Sequence, residues 1–308
     1  MDTRLPDDAG QLADAATRRF RRLGGVDAAR RAEADPATRE TARKALDELG
    51  VFDLDVRADA DQLLAGAVLC RAAGAVVLPW PLIPHLMRVS GRHLVLIDPG
   101  HVRVDHGAVG LSWLGANVTG SAWPLEAGPP DVAGRLGPFV TGAVLGEEQP
   151  GRIDSDDIAR YLTLQSWTIL GALESALAEV TGHVRTRHQF GRALSQFQAV
   201  RFTMADVTIA VRGLEQLAKL TIWRLGRGDA DQRVADAMAL RLHAAETAVT
   251  TLRASHQMYG ALGFCDETDL SVLDRHLQPS LRYPLSAERL ARALVPFAGS
   301  GALTSRIA

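Results

Sequence analysis

The sequence is poor in cysteine, in lysine and in long apolar runs. Only Cys70 and Cys265 occur in 308 residues, too few and too far apart for a disulfide framework or a paired-cysteine zinc site. No Cys-His pair can be placed, so both are read as small packing residues. His183 and His188 have no matching carboxylate set and are not read as metal ligands. The apolar stretch AGAVVLPWPLI at 73–83 is short and broken by Pro79 and Pro81, with Pro84 just beyond, so it is not a membrane span. The polar, acidic start MDTRLPDDAG lacks the apolar segment of a secretory signal. These absences set the expectation of a soluble, cytoplasmic protein without membrane association. Of 34 basic residues only Lys44 and Lys219 are lysines. A GC-rich coding sequence accounts for that arginine excess without any function. A net charge of -2 and a pI near 6.5 give no generally basic surface for nucleic acid.

What is present describes an ordinary globular chain. It is 47% hydrophobic and 23% charged, with a mean hydropathy of +0.01, which excludes disorder, collagen and coiled-coil rods. Residues 10–24, 37–49 and 58–74 read as helices, the second framed by Pro36 and Thr38 at its start and Gly50 past its end. The prolines of VVLPWPLIP demand an extended, irregular path. From about 91 the texture becomes β: HLVLI, a DPG turn, HVRV, and then short pieces separated by Gly and Pro. Beyond 153 the chain is helical again, over 155–184 with Ser155 as its cap, then 197–225 and 231–259. Shorter helices follow at 267–278 and 286–296, before a Gly/Ser tail. Three long helices in succession imply an antiparallel bundle. The expected domains are 1–88 helical, 89–150 a small β unit, and 151–308 a helical bundle.

Two segments stand out chemically. Arg187-His188-Gln189-Phe190-Gly191, running on to Leu194-Ser195-Gln196-Phe197, connects two long helices and places arginines beside backbone donors. His256-Gln257-Met258-Tyr259-Gly260-Ala261-Leu262-Gly263-Phe264 ends a long helix in a Gly-containing loop that can bring backbone close to a ligand. Neither is a Rossmann fingerprint or a P-loop. Each alone is also compatible with an ordinary helix connection or helix end.

Together, RxxFG…FQ and, some 60 residues on, QxxGxxGF resemble the C-terminal domain of the acyl-CoA dehydrogenase flavoprotein superfamily. KALDELGVFDL and LCRAAGAVVLPWPL likewise resemble that family's first helical domain. The resemblance implies an N-terminal helical domain, a reduced middle β domain and a C-terminal antiparallel bundle, with FAD as cofactor and an acyl-CoA thioester as substrate. In such enzymes a carboxylate removes the α proton while hydride leaves the β carbon for the flavin, forming an enoyl-CoA. By the same resemblance, Arg187 matches the arginine at the FAD pyrophosphate. Gln189, Phe190, Leu194 and Phe197 match the adjoining nucleotide wall. Gln257 and Gly260 match the glutamine and first glycine that receive the ADP portion, and Ala261 replaces the second glycine.

The base is where the sequence departs from the family pattern. Counting 27 residues on from Gln257 reaches Pro284, and counting 26 back from Arg187 reaches Tyr161; neither is a carboxylate. Asp157, one helical turn from Tyr161, is the weak substitute. Trp113 and Trp123 are read as core residues ahead of ring-stacking ones. The resemblance extends to two-subunit actinobacterial acyl-CoA dehydrogenases of steroid degradation, in which one of two unlike subunits brings the glutamate. It implies a homologous partner subunit bearing the base in a heterotetramer, and an electron-transfer flavoprotein as acceptor. A self-sufficient homo-oligomer with a displaced base, and a non-redox structural or binding homologue, remain alternatives.

Overall fold

The computed structural model describes residues 5–130 and 136–300. The chain opens with α1 (Asp7–Arg22), α2 (Val26–Ala34), α3 (Arg39–Glu48), α4 (Ala60–Gly74) and the short α5 (Leu82–Leu86). Helix α2 has no counterpart among the helices read from the sequence, and Gly24 and Gly25 before it are both at positive φ. They form a tight corner between two helices. Asp35 starts the next segment, its side chain accepting from the Ala37 N–H at 3.0 Å. Gly50, at φ 70°, closes α3 from the left-handed region.

The stretch expected to be extended contains α5. Pro81 stands just before that helix and Pro84 lies in its first turn. Proline is tolerated there because the N–H it lacks has no intrahelical partner.

The β unit is one five-stranded sheet of β1 (His93–Leu96), β2 (Arg103–Asp105), β3 (Trp113–Ala116), β4 (Ala122–Pro130) and β5 (Val140–Leu145). The strand order is β1-β3-β4-β5-β2, with β1 parallel to β3 and the other pairings antiparallel. The DPG turn therefore carries the chain from one edge of the sheet to the other, and does not close a hairpin. Strand β1 is buried on both faces. Leu94 and Leu96 join the main core, whereas Val95 and Ile97 join a second cluster with Val104, Trp113 and Leu125. Trp113 is 3% exposed and donates through Nε1 to the Gly107 carbonyl, and Trp123 packs on the same cluster. Both are core residues.

The bundle consists of α6 (Ser155–Thr186), α7 (Gln198–Leu225), α8 (Ala230–Tyr259), α9 (Asp269–Arg282) and α10 (Ala287–Ser300). Helix α6 is capped by Asp154 and not by Ser155; the Asp154 side chain accepts from the Asp156 N–H at 2.9 Å. Asp229 and Gln232 form a reciprocal capping box at the start of α8. Helix α10 runs to Ser300, beyond the end read from the sequence, and the tail from 301 lies outside the described residues. Helix α6 is the spine of the molecule. Ile158, Leu162, Trp167, Leu170 and Leu173 are buried along it and join the N-terminal helices to the bundle in one core.

Candidate functional site

The two motifs read from the sequence meet at one end of the bundle. The C-terminal turns of α6 and α8 are tied there: the Tyr259 hydroxyl donates to Glu179 Oε1 at 2.9 Å, and the His183 ring stacks on Tyr259 with centroids 4.1 Å apart. Just past α6, His188–Gln189 pair with Arg192–Ala193 as the two-residue strands β6 and β7. Phe190 and Gly191, at φ 52° and 80°, form the turn between them. Two positive φ values in succession match the twist of a two-residue hairpin.

The hairpin projects its side chains outward. Phe190 is 91% exposed, and Arg187 and Gln189 are exposed. Arg192 lies over the Phe197 ring at 4.0 Å, which fixes that aromatic beside the hairpin, and Leu194 is half-buried at its base. Among the described residues the Arg187 guanidinium makes no hydrogen bond or ion pair.

Gln257 is exposed on the neighbouring helix end, and Gly260 ends α8 at φ 62°, ψ −143°, a conformation open to glycine. A side chain at Gly260 would meet nothing within 4 Å, so the space before that backbone is open. Ala261 is exposed beside it. Gly263 is required for a different reason: a Cβ there would lie 2.8 Å from Tyr259 Cβ and 3.1 Å from His256 Nδ1. His256 is held by Asp274 at 3.0 Å and stacks on the exposed Phe264 at 4.7 Å. This end thus offers an unpaired guanidinium, a free amide, open backbone and exposed aromatic rings. That donor set fits an anionic, aromatic-ended dinucleotide. It is a surface, with no opposing wall among the described residues.

The two positions where a base was sought also converge. Tyr161 on α6 and Tyr283, the neighbour of Pro284 beyond α9, line one partly open cavity of about 120 Å³. Tyr161 is buried, and burial pushes its phenol well above the ordinary range. Gln165, one turn further along α6, donates to the Tyr283 carbonyl at 3.0 Å and accepts from Arg241 Nε at 2.9 Å. Arg241 is fully buried, with no carboxylate among its hydrogen-bond partners. It also donates to the Ser280 and Tyr283 carbonyls, and burial lowers its pKa to about 10. A buried cation therefore fixes the chain segment on which the family's second base position falls.

Asp157 does not face this cavity. It accepts a bidentate pair from Arg57 at 2.8 and 3.0 Å and a third bond from Arg160 at 3.2 Å, which turn its carboxylate toward α4's leading loop. Its geometry is that of a structural ion pair, which corrects its reading as a substitute base. Glu174 is likewise taken by Arg71.

Among the described residues lining the cavity the one carboxylate is Asp105, from the end of β2, followed by His106. Neither was singled out from the sequence. Burial raises the Asp105 pKa to about 7 against the opposing pull of the His106 N–H and the Arg39 charge. The Asp-His-Gly run at a strand end was visible, but nothing in local spacing marks it as internal.

Residues 163–296 match the family model described as acyl-CoA dehydrogenase, C-terminal domain. Acyl-CoA dehydrogenase FadE28 of Mycobacterium tuberculosis is 34% identical over 94 residues, covering 30% of this chain and 27% of that protein. The short-chain specific acyl-CoA dehydrogenase of Clostridium acetobutylicum is 30% identical over 95 residues, 31% of this chain and 24% of that protein. The chain thus spans about a quarter of the length of these curated relatives in its matches. Among solved structures, the Tcur3481-Tcur3483 steroid ACAD superposes with a TM-score of 0.79 at 16% identity, covering 96% of this chain and 99% of that one. The ChsE4-ChsE5 complex from Mycobacterium tuberculosis gives 0.76 at 18% identity over 100% of both chains. At these identities the superpositions establish the fold.

Proposed function

The chain belongs to the acyl-CoA dehydrogenase superfamily, and from that premise we propose that it is the non-base subunit of a two-component FAD-dependent acyl-CoA dehydrogenase. Its role there is to supply nucleotide contacts and architecture, while a homologous partner subunit supplies the catalytic glutamate. The observation that carries this reading is that Tyr161 and Tyr283, the neighbour of Pro284, line one cavity, with no carboxylate at position 161 or 284.

Bound FAD would supply the two-electron acceptor for forming an α,β-enoyl-CoA. On this chain Arg187 would hold the pyrophosphate, with Gln189, Phe190, Leu194 and Phe197 along the nucleotide. Gln257, Gly260 and Ala261 would receive the ADP end. Arg187, Gln189, Phe190, Gln257, Gly260 and Ala261 are exposed, and among the described residues none covers them, which suits a site closed by a second chain. The two-subunit assembly named for the ChsE4-ChsE5 structure supports the same arrangement. Reoxidation by an electron-transfer flavoprotein and a cytoplasmic location belong to this proposal. Among the described residues no helix is long and apolar enough to cross a membrane.

Co-expression with a homologous, glutamate-bearing chain tests it. The expected result is a co-purifying complex with stoichiometric flavin and acyl-CoA dehydrogenase activity, both lost when the chains are made separately. Stoichiometric FAD and turnover from this chain alone would overturn the reading.

Asp105 favours one second reading, a self-sufficient homo-oligomer in which that cavity carboxyl accepts the α proton. Then the chain made alone would turn over, and Asp105→Asn would abolish that turnover with flavin retained.

A further inference from the structure

The dinucleotide surface is assembled from two segments, the Arg187 hairpin after α6 and the Gly260 loop after α8. The hairpin is a two-stranded sheet of its own, so side chains set its spacing from the loop. Three residues do this. Tyr259 precedes Gly260, is 9% exposed, and donates through its hydroxyl to Glu179 Oε1 at 2.9 Å. His183, one turn beyond Glu179 on α6, lies flat on the Tyr259 ring with an interplanar angle of 16°. The His183 carbonyl accepts the Arg187 N–H at 2.8 Å, the bond on which α6 ends. The Arg187 carbonyl in turn accepts the Leu194 N–H at 2.9 Å and closes the base of the hairpin. Contact therefore runs unbroken from the Gly260 backbone through Tyr259 and His183 to Arg187.

We propose that His183, braced by Tyr259 and Glu179, is a positioning residue of the nucleotide site, holding the Arg187 hairpin and the Gly260 loop at the spacing that a dinucleotide bridges. This role rests on the reading of that surface as the FAD site. A hairpin released from the brace would be ordered only on binding, and that ordering subtracts from affinity.

The imidazole adds a second property. Among the described residues no group hydrogen-bonds its ring nitrogens. Partial burial and the Arg187 charge hold it below the ordinary histidine range, while Glu179 pulls the other way. From α8 it meets the Tyr259 phenol, which burial, Glu179 and Asp269 keep protonated. Arg192 of β7, packed on the same end of α6, is turned onto Phe197. An anion paired with Arg187 cancels that guanidinium's repulsion, so His183 protonates more readily in the bound state. By linkage, affinity for the anion rises as pH falls.

FAD titrations of the deflavinated assembly, followed by flavin fluorescence between pH 6 and 8, test both properties. The unaltered protein is expected to bind FAD about threefold more tightly at pH 6 than at pH 8. His183→Ala should bind about three- to tenfold more weakly, the worth of one aromatic stack. His183→Phe keeps the stack and cannot titrate; it should restore affinity at pH 8 to within about twofold and lose the pH dependence. Tyr259→Phe keeps the stack and loses the Glu179 bond, and should bind about threefold more weakly; it decides the matter if His183→Ala does not fold. Arg187→Ala is the control on the underlying reading. If it leaves FAD affinity unchanged, the FAD site itself is misplaced and the role of His183 falls with it. If it weakens binding while His183→Ala and Tyr259→Phe do not, only the positioning role is overturned. Weakening by His183→Ala that His183→Phe does not repair, or a pH dependence undiminished in His183→Phe, overturns that role as well.

Discussion

Two glycines at the contact between α4 and α6 yield a prediction whose sign runs against the usual rule for helices. A Cβ at Gly171 would lie 2.7 Å from the Arg71 carbonyl carbon and 3.1 Å from the Ala75 nitrogen, with the Arg71 oxygen closer still. A Cβ at Gly74 would lie 2.8 Å from the Thr168 carbonyl carbon and 3.0 Å from its Cα. Every atom met is main chain, so no rotamer change relieves the clash. The first contact is roughly 0.7 Å short of ordinary van der Waals distance, so the helices must separate. Overpacking of this kind costs about 1–3 kcal/mol and sometimes more, and a rigid backbone neighbour puts Gly171→Ala at the upper end. The substitution also gains about 1 kcal/mol of helix propensity. The expected net loss is about 2 kcal/mol.

Gly182 provides the internal control. It is exposed on the same helix, and a Cβ there meets nothing within 4 Å. Gly182→Ala should therefore stabilise by about 0.5–1 kcal/mol. Urea unfolding followed by circular dichroism measures both, and the two midpoints should move in opposite directions. Equal or same-sign shifts would refute the close-packing account.

Arg241→Met leaves Gln165 and the Ser280 and Tyr283 carbonyls without their buried donor; a loss of about 2–4 kcal/mol is expected in thermal unfolding. Asp157→Asn should cost about 1 kcal/mol, since Arg57 and Arg160 lose their shared partner. Turnover of the flavin-loaded complex should be unaffected, and a collapse of activity would restore Asp157 as a base. Asp105 has a folded pKa near 7, above its ordinary value. Its protonated form is therefore favoured by folding, and the associated stability is present in acid and lost as pH rises between about 4 and 7. Asp105→Asn should flatten that part of the pH–stability curve, measured by unfolding midpoints at fixed salt; an unchanged slope would count against the burial of this carboxyl.

The long helices were legible because their patterns span many turns. Helices α6, α7 and α8 fall within a few residues of the segments expected at 155–184, 197–225 and 231–259. Short elements were less legible, since tertiary packing decides them. Helix α5 forms on a proline-rich stretch where Leu82 and Leu86 are buried, and α2 forms where Val26, Ala29 and Ala32 pack beneath a double-glycine corner. The sheet order could not be read at all. Strands β1 and β2 are joined by a turn signal, yet β2 pairs with β5, and only long-range packing selects that edge.

The same division governs the site. Arg187, Gln189, Phe190, Gln257 and Gly260 were legible because their chemistry is compact in sequence: a two-residue turn and a helix end present it locally, whatever the rest of the chain does. The cavity is assembled from α4, α5, β1, β2, α6 and α9, and its character depends on what each contributes at one point in space. Counting along the chain found Tyr161 and Pro284 separately, and could say that neither is acidic. It could not say that Tyr161 and Tyr283 line one enclosure. Nor could it show that a carboxylate arrives there from β2, a strand ordered by its partner β5. That origin matters chemically. A base on a helix face would be oriented by its own helix, whereas Asp105 is held by a three-residue edge strand and a strained His106. Its position therefore depends on β5 and on Phe139, so substitution of Phe139 by leucine should disturb the cavity's polar end while leaving the exposed surface at the ends of α6 and α8 intact.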